Sequence, residues 1–344
     1  MLPRPTAASV QSAHMVVPDH SCRPALESHP ISCRSRLVPI HQIPQSRRGF
    51  LKTTAIGGGT ALLMSATQTV SAASDQATVL ALLSDTHIPS SPDLTARGTN
   101  MTENLQQVIS EVLTRKTRPS DLIVNGDCAY LKGLPGDYQN FVRCLAPAEQ
   151  AGIALHLTMG NHDDRQPLYA ALSGQRPTAT AVMSKHVSVL ETPHANLFLL
   201  DSLFRVNVVT GELGDAQIDW LAEQLDARSN KPAIVMTHHT PQFTAPKEGK
   251  PWNGISDTEK LLKVLDSRKH VKAYLYGHSH HWSHSQRGHF HMINLPPVAY
   301  LFNKTSPNGW VEAVLTDDAM RLQLQTLDPK HPLAGETIKV SFTS

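Results

Sequence analysis

Five short apolar runs of the chain are each followed directly by Asp, Asn or His side chains. The runs begin at Thr78, Leu122, Ile153, Ala233 and Val271. Amphipathic helical segments separate them, which is the pattern of an α/β domain. In open α/β sheets, ligands bind just beyond the carboxyl ends of the strands. The pattern therefore predicts an α/β fold whose functional site is assembled from several strand ends.

The side chains at these run ends are rich in imidazole and carboxylate. They are Asp85, His87, Asp127, Asn161, His162, Asp163, His238, His239, His278 and His280. A lone Asp or His at a strand end is more often a helix cap or a hydrogen-bonded structural residue. Five such ends in one chain favour a shared site, since three of them also carry a glycine that lets backbones approach closely: Gly126, Gly160 and Gly277.

These residue types predict a metal site. Imidazole and carboxylate ligands together suit Mn, Fe and Zn ions. The absence of thiolates from the pattern excludes a structural zinc cluster. One tetrahedral ion needs fewer ligands than the pattern offers, so we expect two ions, bridged by a carboxylate at the ~3.5–4 Å separation of two-metal hydrolases.

Five motifs occur in a fixed order along the chain. They are Asp85-x-His87, Gly126-Asp127, Gly160-Asn161-His162-Asp163, His238-His239-Thr240-Pro241 and Gly277-His278-x-His280. The set resembles the calcineurin-like metallophosphoesterase superfamily, and its first and third motifs resemble the class III cyclic-nucleotide phosphodiesterase branch. The resemblance spans roughly Thr78 to Asn294 and implies a four-layer α/β/β/α sandwich with the metals at the strand ends.

The resemblance also implies a role for each motif residue. The first ion would be held by Asp85, His87, Asp127 and His280, and the second by Asp127 as the bridge with Asn161, His238 and His278. A hydroxide shared between the ions would attack phosphorus. His162 would act as an acid toward the leaving group, and Asp163 would orient it.

The expected function is hydrolysis of a small-molecule phosphoester, with a phosphodiesterase favoured and 3′,5′-cyclic nucleotides as candidate substrates. A phosphomonoesterase of the acid-phosphatase or protein-phosphatase type is the alternative. A non-catalytic periplasmic metal-binding protein, which uses the His-rich segment after Gly277, is a candidate of a different class. The presence of His162 argues against it, because metal storage needs no acid for a leaving group.

Three further residues are candidate substrate contacts. Arg165 lies three residues past His162 and could reach a phosphate, or form a surface salt bridge. Trp252 could stack on a base or sugar, or anchor its loop. Tyr130 completes a GDxxY pattern that resembles purple acid phosphatases, where the tyrosine binds ferric iron. With His87 present, we interpret Tyr130 as a wall or packing residue.

The N-terminal segment predicts export. Arg47-Arg48 precede a weakly apolar run and the small residues Val70-Ser71-Ala72, an order that resembles a twin-arginine signal peptide. We expect residues 1–45 to be a disordered or untranslated leader, 46–72 the signal peptide, and 73–344 the phosphoesterase domain. The protein would then be exported by the twin-arginine machinery and be periplasmic or secreted.

Composition excludes other classes of protein. The formal net charge of +2 argues against nucleic-acid binding, which needs a strongly basic face. No apolar stretch reaches the length of a membrane span. Whether Cys128 and Cys144 pair cannot be read from their spacing. Periodicity also predicts a helix from Thr102, as its cap, to about Lys116, and a helix capped by Ser256 over Thr258–Ser267.

Overall fold

The computed structural model describes residues 76–172 and 181–343. Its fourteen strands are β1 Thr78–Ser84, β2 Thr95–Ala96, β3 Thr99–Asn100, β4 Asp121–Asn125, β5 Ala154–Thr158, β6 Ser188–Glu191, β7 Asn196–Leu199, β8 Ala233–Met236, β9 Val271–Tyr276, β10 Ser283–Arg287, β11 Phe290–Asn294, β12 Gly309–Leu315, β13 Ala319–Thr326 and β14 Thr337–Ser341. The helices are α1 Met101–Thr114, α2 Pro135–Gln150, α3 Arg165–Ala171, α4 Asp215–Asp226 and α5 Thr258–Asp266.

Two six-stranded sheets carry the fold. The first has the order β14-β13-β12-β1-β4-β5, and the second has the order β10-β11-β9-β8-β7-β6. Strands β1, β4 and β5 are mutually parallel, as are β7, β8, β9 and β11. Parallel neighbours end at the same edge of a sheet, so each sheet gathers the loops after its parallel strands at one edge.

Successive side chains of a strand point to opposite faces of its sheet, and the buried apolar side chains therefore form three separate cores. Leu80 and Leu82 of β1 belong to the core between the two sheets, whereas Ala81 and Leu83 pack toward α1 and α2. The sequence of β1 is apolar throughout because both of its faces are covered.

The second sheet is also covered on both faces, by the first sheet on one side and by α4 and α5 on the other. Ile234 and Met236 of β8 join the core between the sheets, while Ala233 and Val235 pack in the core that contains α4 and α5. The layers are therefore helix, sheet, sheet and helix. This confirms the predicted four-layer α/β/β/α sandwich.

The helix boundaries show where the sequence reading was wrong. Asn100, not Thr102, caps α1, because the Asn100 side chain accepts hydrogen bonds from the amides of Thr102 and Glu103. The Thr102 hydroxyl is instead buried and accepts from the Asn140 side chain. Helix α5 begins after Asp257, and the Ser256 hydroxyl bonds to the carbonyl of Gly211 rather than to the helix.

The two described cysteines, Cys128 and Cys144, are buried and unpaired with each other. Within the described residues, none of the helices is long and apolar enough to cross a membrane. The predicted twin-arginine signal peptide lies outside the described residues.

Candidate metal centre

The loops after five parallel strands meet at the carboxyl-terminal edge of the two sheets. Backbone hydrogen bonds join them directly: the amide of His87 donates to the Asp127 carbonyl at 2.8 Å, and the amide of Gly277 donates to the His238 carbonyl at 2.8 Å. The first bond links the loops after β1 and β4. The second links those after β8 and β9. The sequence motifs thus become one contiguous site.

Glycines permit this close approach. A Cβ atom at Gly126 would lie 2.5 Å from Cβ of His238, and one at Gly160 would overlap the amide and the side chain of Asp127. A Cβ atom at Gly277 would lie 2.7 Å from Oδ2 of Asp85. Any larger side chain would therefore displace a candidate ligand.

The candidate ligands also have unusual backbone conformations. Nine described residues other than glycine have a positive φ, and five of them are Asp85, His87, Asp127, His278 and His280. This conformation costs an L-residue roughly 1–2 kcal/mol. Such strain is characteristic of functional sites, where the surrounding structure imposes it.

Three side chains from opposite sheets form the first cluster. Metal-ligating atoms of Asp85, His87 and His280 lie within 4.8 Å of one another. The Nε2 atoms of His87 and His280 are 2.9 Å apart, and Nε2 of His280 is 3.4 Å from Oδ1 of Asp85. All three side chains are buried.

The second cluster consists of Asp127, His238 and His278, whose ligating atoms also lie within 4.8 Å of one another. Oδ2 of Asp127 is 3.2 Å from Nε2 of His238 and 3.7 Å from Nε2 of His87. Asp127 therefore lies between the two clusters. Asn161 is buried in the wall of the same cavity.

Several buried polar atoms at this site have no hydrogen-bond partner. They include Oδ1 of Asp85, Oδ1 of Asn161 and Nε2 of His238, although Asp127 lies close to the last of these. Buried polar groups are ordinarily hydrogen-bonded, because an unpaired one costs about 1–3 kcal/mol. A carboxylate oxygen, an amide oxygen and an imidazole nitrogen that lack partners at one site are the pattern that metal ions satisfy, so the residues fit a metal site.

Backbone carbonyls fix the orientation of the imidazoles. Nδ1 of His238 bonds to the Asn125 carbonyl at 2.8 Å, and Nδ1 of His280 bonds to the Tyr300 carbonyl at 2.6 Å. In both rings, Nε2 is left for the site. His278 has the reverse arrangement, since its Nε2 bonds to the Asn253 carbonyl at 3.0 Å. Such outer hydrogen bonds set the tautomer of a metal-binding histidine.

The ionisation of the buried groups favours cation binding. Burial alone would raise the carboxyl pKa values of Asp85 and Asp127, but nearby imidazoles, His238 foremost, lower both. Burial lowers the pKa of His87 to about 3, and burial together with His238 lowers that of His278 to about 4. Ionised carboxylates and neutral imidazoles are the forms that bind metals.

His238 has the opposite shift. Burial opposes its charged form, but the carboxylates of Asp127 and Asp85 raise the pKa of His238 to about 10. A positive charge is thus favoured between the two carboxylates. A metal ion would supply that charge in place of the proton.

His162 lines the cavity beside these clusters and is partly exposed. Its Nδ1 atom bonds to the Leu131 carbonyl at 2.6 Å, and its amide donates to Oδ1 of Asp127 at 2.8 Å. The first bond leaves Nε2 available to a bound molecule. The neighbouring His239 differs, because it is buried and its Nδ1 pairs with the Ser202 hydroxyl at 2.7 Å.

Asp163 does not orient His162, and the prediction that it does is wrong. Its buried carboxylate accepts hydrogen bonds from the amides of Cys128, Ala129 and Gly160 and from the Tyr138 hydroxyl. Burial, together with the charge of Asp127, raises the pKa of Asp163 to about 6. Its contacts bind the loop after β4 to the loop after β5, whereas a main-chain carbonyl holds the His162 ring.

The three predicted substrate contacts do not line the cavity. Arg165 forms a bidentate ion pair with Asp201, at 2.7 and 2.8 Å, because the fully buried carboxylate needs a counter-charge. Trp252 is partly buried and outside the cavity lining, although its neighbour Asn253 contacts His278. Tyr130 packs against the core beneath α1 and α2, consistent with the packing interpretation.

The cavity has a volume of about 250 Å³ and includes residues that no motif indicated. They are Asn207, Val209, Tyr300 and Phe302. The Tyr300 ring stacks on His87 with centroids 5.1 Å apart, and the Phe302 ring stacks on His280 at 4.2 Å. Sequence reasoning missed these aromatics because they follow β11 in an irregular segment with no motif of its own.

Two proteins with similar sequences are named as phosphodiesterases. The chain is 25% identical to a 3′,5′-cyclic-nucleotide phosphodiesterase of Nostoc sp. over 66% of this chain and 80% of the relative. It is also 25% identical to a 3′,5′-cyclic adenosine monophosphate phosphodiesterase of Pseudomonas aeruginosa over 67% of this chain and 79% of that protein.

Two solved phosphatase structures have a similar fold. A dimetal phosphatase from Danio rerio superposes with a TM-score of 0.58 at 14% identity, over 77% of this chain and 99% of that one. A purple acid phosphatase from yellow lupin seeds superposes with a TM-score of 0.54 at 12% identity, over 78% of this chain and 54% of that one. At these identities the likeness concerns the fold alone.

The family model for calcineurin-like phosphoesterases matches residues 78–282, which include all five motifs. This span begins with β1 and extends beyond His280, so it contains both clusters. The chain belongs to the calcineurin-like phosphoesterase family and is a metal-dependent phosphoester hydrolase.

Proposed function

We propose that the protein is a dinuclear phosphodiesterase that hydrolyses 3′,5′-cyclic nucleotides. The observation that carries the proposal is that Asp127, a member of the Asp127–His238–His278 cluster, also lies 3.7 Å from His87 of the Asp85–His87–His280 cluster. A single carboxylate within reach of both is the arrangement that two-metal hydrolases require. The names of the curated relatives support the choice of substrate.

The ligands divide between two ions of the Mn, Fe or Zn type. Asp85, His87 and His280 would hold one ion, and His238, His278 and Asn161 the other, with Asp127 shared. When bound, the ions would acidify water and attract the phosphoryl oxygens. Asp85 and Asp127 neutralise two of the four charges on two divalent ions. The remaining positive charge suits an anionic phosphodiester.

His162 supplies the proton for the leaving group. The Leu131 carbonyl holds its Nδ1–H, so an imidazolium at this position would present Nε2–H to the cavity. As the phosphorus–oxygen bond of the ester breaks, Nε2 would give its proton to the departing ribose oxygen. General-acid assistance of this kind contributes about 10²–10⁴-fold in rate.

Turnover of matched substrates tests the proposed reaction. The full chain, stripped of metal and reloaded with Mn²⁺, is expected to convert 3′,5′-cyclic AMP to AMP and to hydrolyse bis-p-nitrophenyl phosphate faster than p-nitrophenyl phosphate. The same chain held in excess chelator is the control and should be inactive. Faster turnover of the monoester, with no hydrolysis of cyclic AMP, would overturn the proposal in favour of a phosphomonoesterase.

A further inference from the structure

A two-residue hairpin near the cavity places an arginine in a strained conformation. Arg97 and Gly98 connect β2 to β3, and both have a positive φ, of 52° and 81°. Such a turn favours Asn-Gly, because only small or short polar side chains tolerate the left-handed region at its first position. The turn conformation therefore does not account for an arginine at this position, and a role of its side chain would account for it.

The Arg97 guanidinium lies against the aromatic wall of the cavity. Its Cζ atom is 4.9 Å from the centroid of the Phe302 ring and 5.7 Å from that of Tyr300. Within residues 76–172 and 181–343, no carboxylate forms an ion pair with Arg97. Aromatic faces rather than a counter-charge therefore hold the cation.

Phe302 links this arginine to the metal ligands. Its ring stacks on His280 with an interplanar angle of 22°, yet 54% of the residue remains exposed. Large apolar side chains can be exposed singly without a function. Phe302 differs because it lines the cavity of the metal centre and also contacts an unpaired cation at the rim.

We propose that Arg97 and Phe302 form a platform on which the nucleobase of the substrate stacks. This proposal rests on the proposed function and adds the residues that recognise the organic part of the substrate. Guanidinium and phenyl groups both stack on planar heteroaromatic rings. A phosphoester whose phosphorus lies at the clusters would have its remainder at the cavity mouth, where these two side chains are exposed.

The Arg97 guanidinium would contact the base of the substrate rather than its scissile phosphate. It lies over the Phe302 ring, with Cζ 4.9 Å from the ring centroid, and Arg97 is absent from the cavity lining. Metal ions held by the two clusters would already supply the positive charge that attracts the phosphate. We therefore expect Arg97 to change substrate affinity without changing the chemical step.

Two substrates that differ only in the base test the platform. They are 3′,5′-cyclic AMP and the 3′,5′-cyclic phosphate of methyl riboside, which has a methoxy group in place of adenine. Arg97→Asn removes the guanidinium but suits a positive φ, so the hairpin is retained. Phe302→Leu keeps an apolar cover over His280 without a planar ring. Arg118→Asn is the matched control, an exposed loop arginine near the opposite end of β4.

We expect Arg97→Asn and Phe302→Leu to raise KM for cyclic AMP by about 5- to 150-fold, the range for loss of one base stack. For Arg97→Asn, the KM for the methyl riboside analogue and the kcat for both substrates should remain within about twofold of the parent values, as should every constant of Arg118→Asn. Metal content, measured in the same samples, should not change.

Other outcomes would overturn the platform in distinguishable ways. An unchanged KM for cyclic AMP in both variants, with the parent active, would remove the platform and leave the proposed function intact. An equal rise in KM for both substrates would assign Arg97 to the phosphate. A parent chain that hydrolyses neither substrate would refute the proposed function and the platform together.

Discussion

At the scale of single residues, several side chains of the centre use one polar atom to bond to the backbone and the other to face the site. Oδ1 of Asp127 accepts the amide of His162, while Oδ2 faces the imidazoles of His238 and His87. His238 and His280 each give Nδ1 to a main-chain carbonyl and Nε2 to the site. These pairings turn Oδ2 of Asp127 and Nε2 of His238 and His280 toward the site before any ligand binds.

Replacing His162 is expected to separate acid catalysis from metal binding. His162→Ala should keep the metal content of the parent and lose about 10²–10⁴-fold in kcat, because a general acid contributes that much. Elemental analysis and steady-state kinetics on the same preparation measure both quantities. His284→Ala, which removes an exposed histidine paired with His291 on β10 and β11, is the control and should match the parent. Loss of metal from His162→Ala would contradict the assignment and make His162 a ligand.

Replacing Asp163 should affect stability first. Asp163→Asn keeps the volume but turns an NH₂ group toward backbone N–H donors, so at least one hydrogen bond to a buried loop is lost. We expect the free energy of unfolding to fall by roughly 2–4 kcal/mol, measured by urea denaturation. Unfolding at the parental midpoint would contradict the role of Asp163 in joining the two loops.

The residue types at the strand ends could be predicted from the sequence, but some of their partners could not. Asp163 follows His162 directly in the chain, yet its carboxylate turns to Cys128 and Ala129, which are 35 and 34 residues away. Arg165 was open to a phosphate or a salt bridge until the buried Asp201 was known. Such partners are set by packing across the fold, which local sequence does not contain.

At the scale of secondary-structure elements, the apolar runs predicted the strands on which the site is built. Runs ending near Ser84, Asn125 and Tyr276 became β1, β4 and β9 because each is buried on both faces. Their order in two sheets was not derivable from periodicity alone. The resemblance of the motifs to a known family implied only the four-layer arrangement, which is confirmed by the strand pairing and the cores.

Gly160, in the loop after β5, packs directly against Asp127 in the loop after β4, and replacing it tests how closely these two loops are packed. Gly160→Ala adds a methyl group that would overlap the side chain and amide of Asp127, so Asp127 must move away from both clusters. We expect the variant to remain folded and to lose at least about tenfold in metal affinity, the lower end for a displaced supporting contact. Isothermal titration with Mn²⁺ measures the affinity.

The control for that substitution is Gly335→Ala, where the added methyl group has no neighbour within 4 Å although its φ of 79° disfavours alanine. It should lower stability slightly and leave metal affinity unchanged. A metal affinity of Gly160→Ala equal to that of the parent would show that the loops after β4 and β5 can accommodate the methyl group without displacing Asp127. That result would contradict the close packing seen in the structure.

At the scale of the whole molecule, buried histidines outside the site also make stability depend on pH. His186 is buried and its Nδ1 pairs with the Tyr169 hydroxyl, while its amide donates to Asp201. Burial lowers its pKa, with the charge of Arg165 adding to the effect and that of Asp201 opposing it. The folded protein therefore favours neutral His186.

The sign of the pH effect follows from this shift. The unfolded chain takes up a proton on His186 near its ordinary pKa of about 6.5, whereas the folded chain resists it to lower pH. The stabilisation is complete above pH 6.5 and is lost as the pH falls below that value toward the folded pKa. His186→Gln should reduce the loss of unfolding free energy between pH 7.5 and 5.5, by at most ~1.4 kcal/mol per pH unit.

Urea unfolding of chelator-treated parent and variant at both pH values measures this difference and removes any contribution from bound metal. Equal pH dependence in the two proteins would show that His186 is charged in the folded state or titrates equally in both states. That result would contradict the burial of a neutral imidazole at this position.

The central claim is that one buried centre holds two metal ions through a shared Asp127. Calorimetric titration of the metal-stripped full chain with Mn²⁺ tests it most directly, with elemental analysis of the saturated protein as a check. We predict two ions per chain for the parent and fewer than two for Asp127→Ala, in which both sites lose a ligand. A stoichiometry of one in the parent, or two tightly bound ions in Asp127→Ala, would contradict the claim.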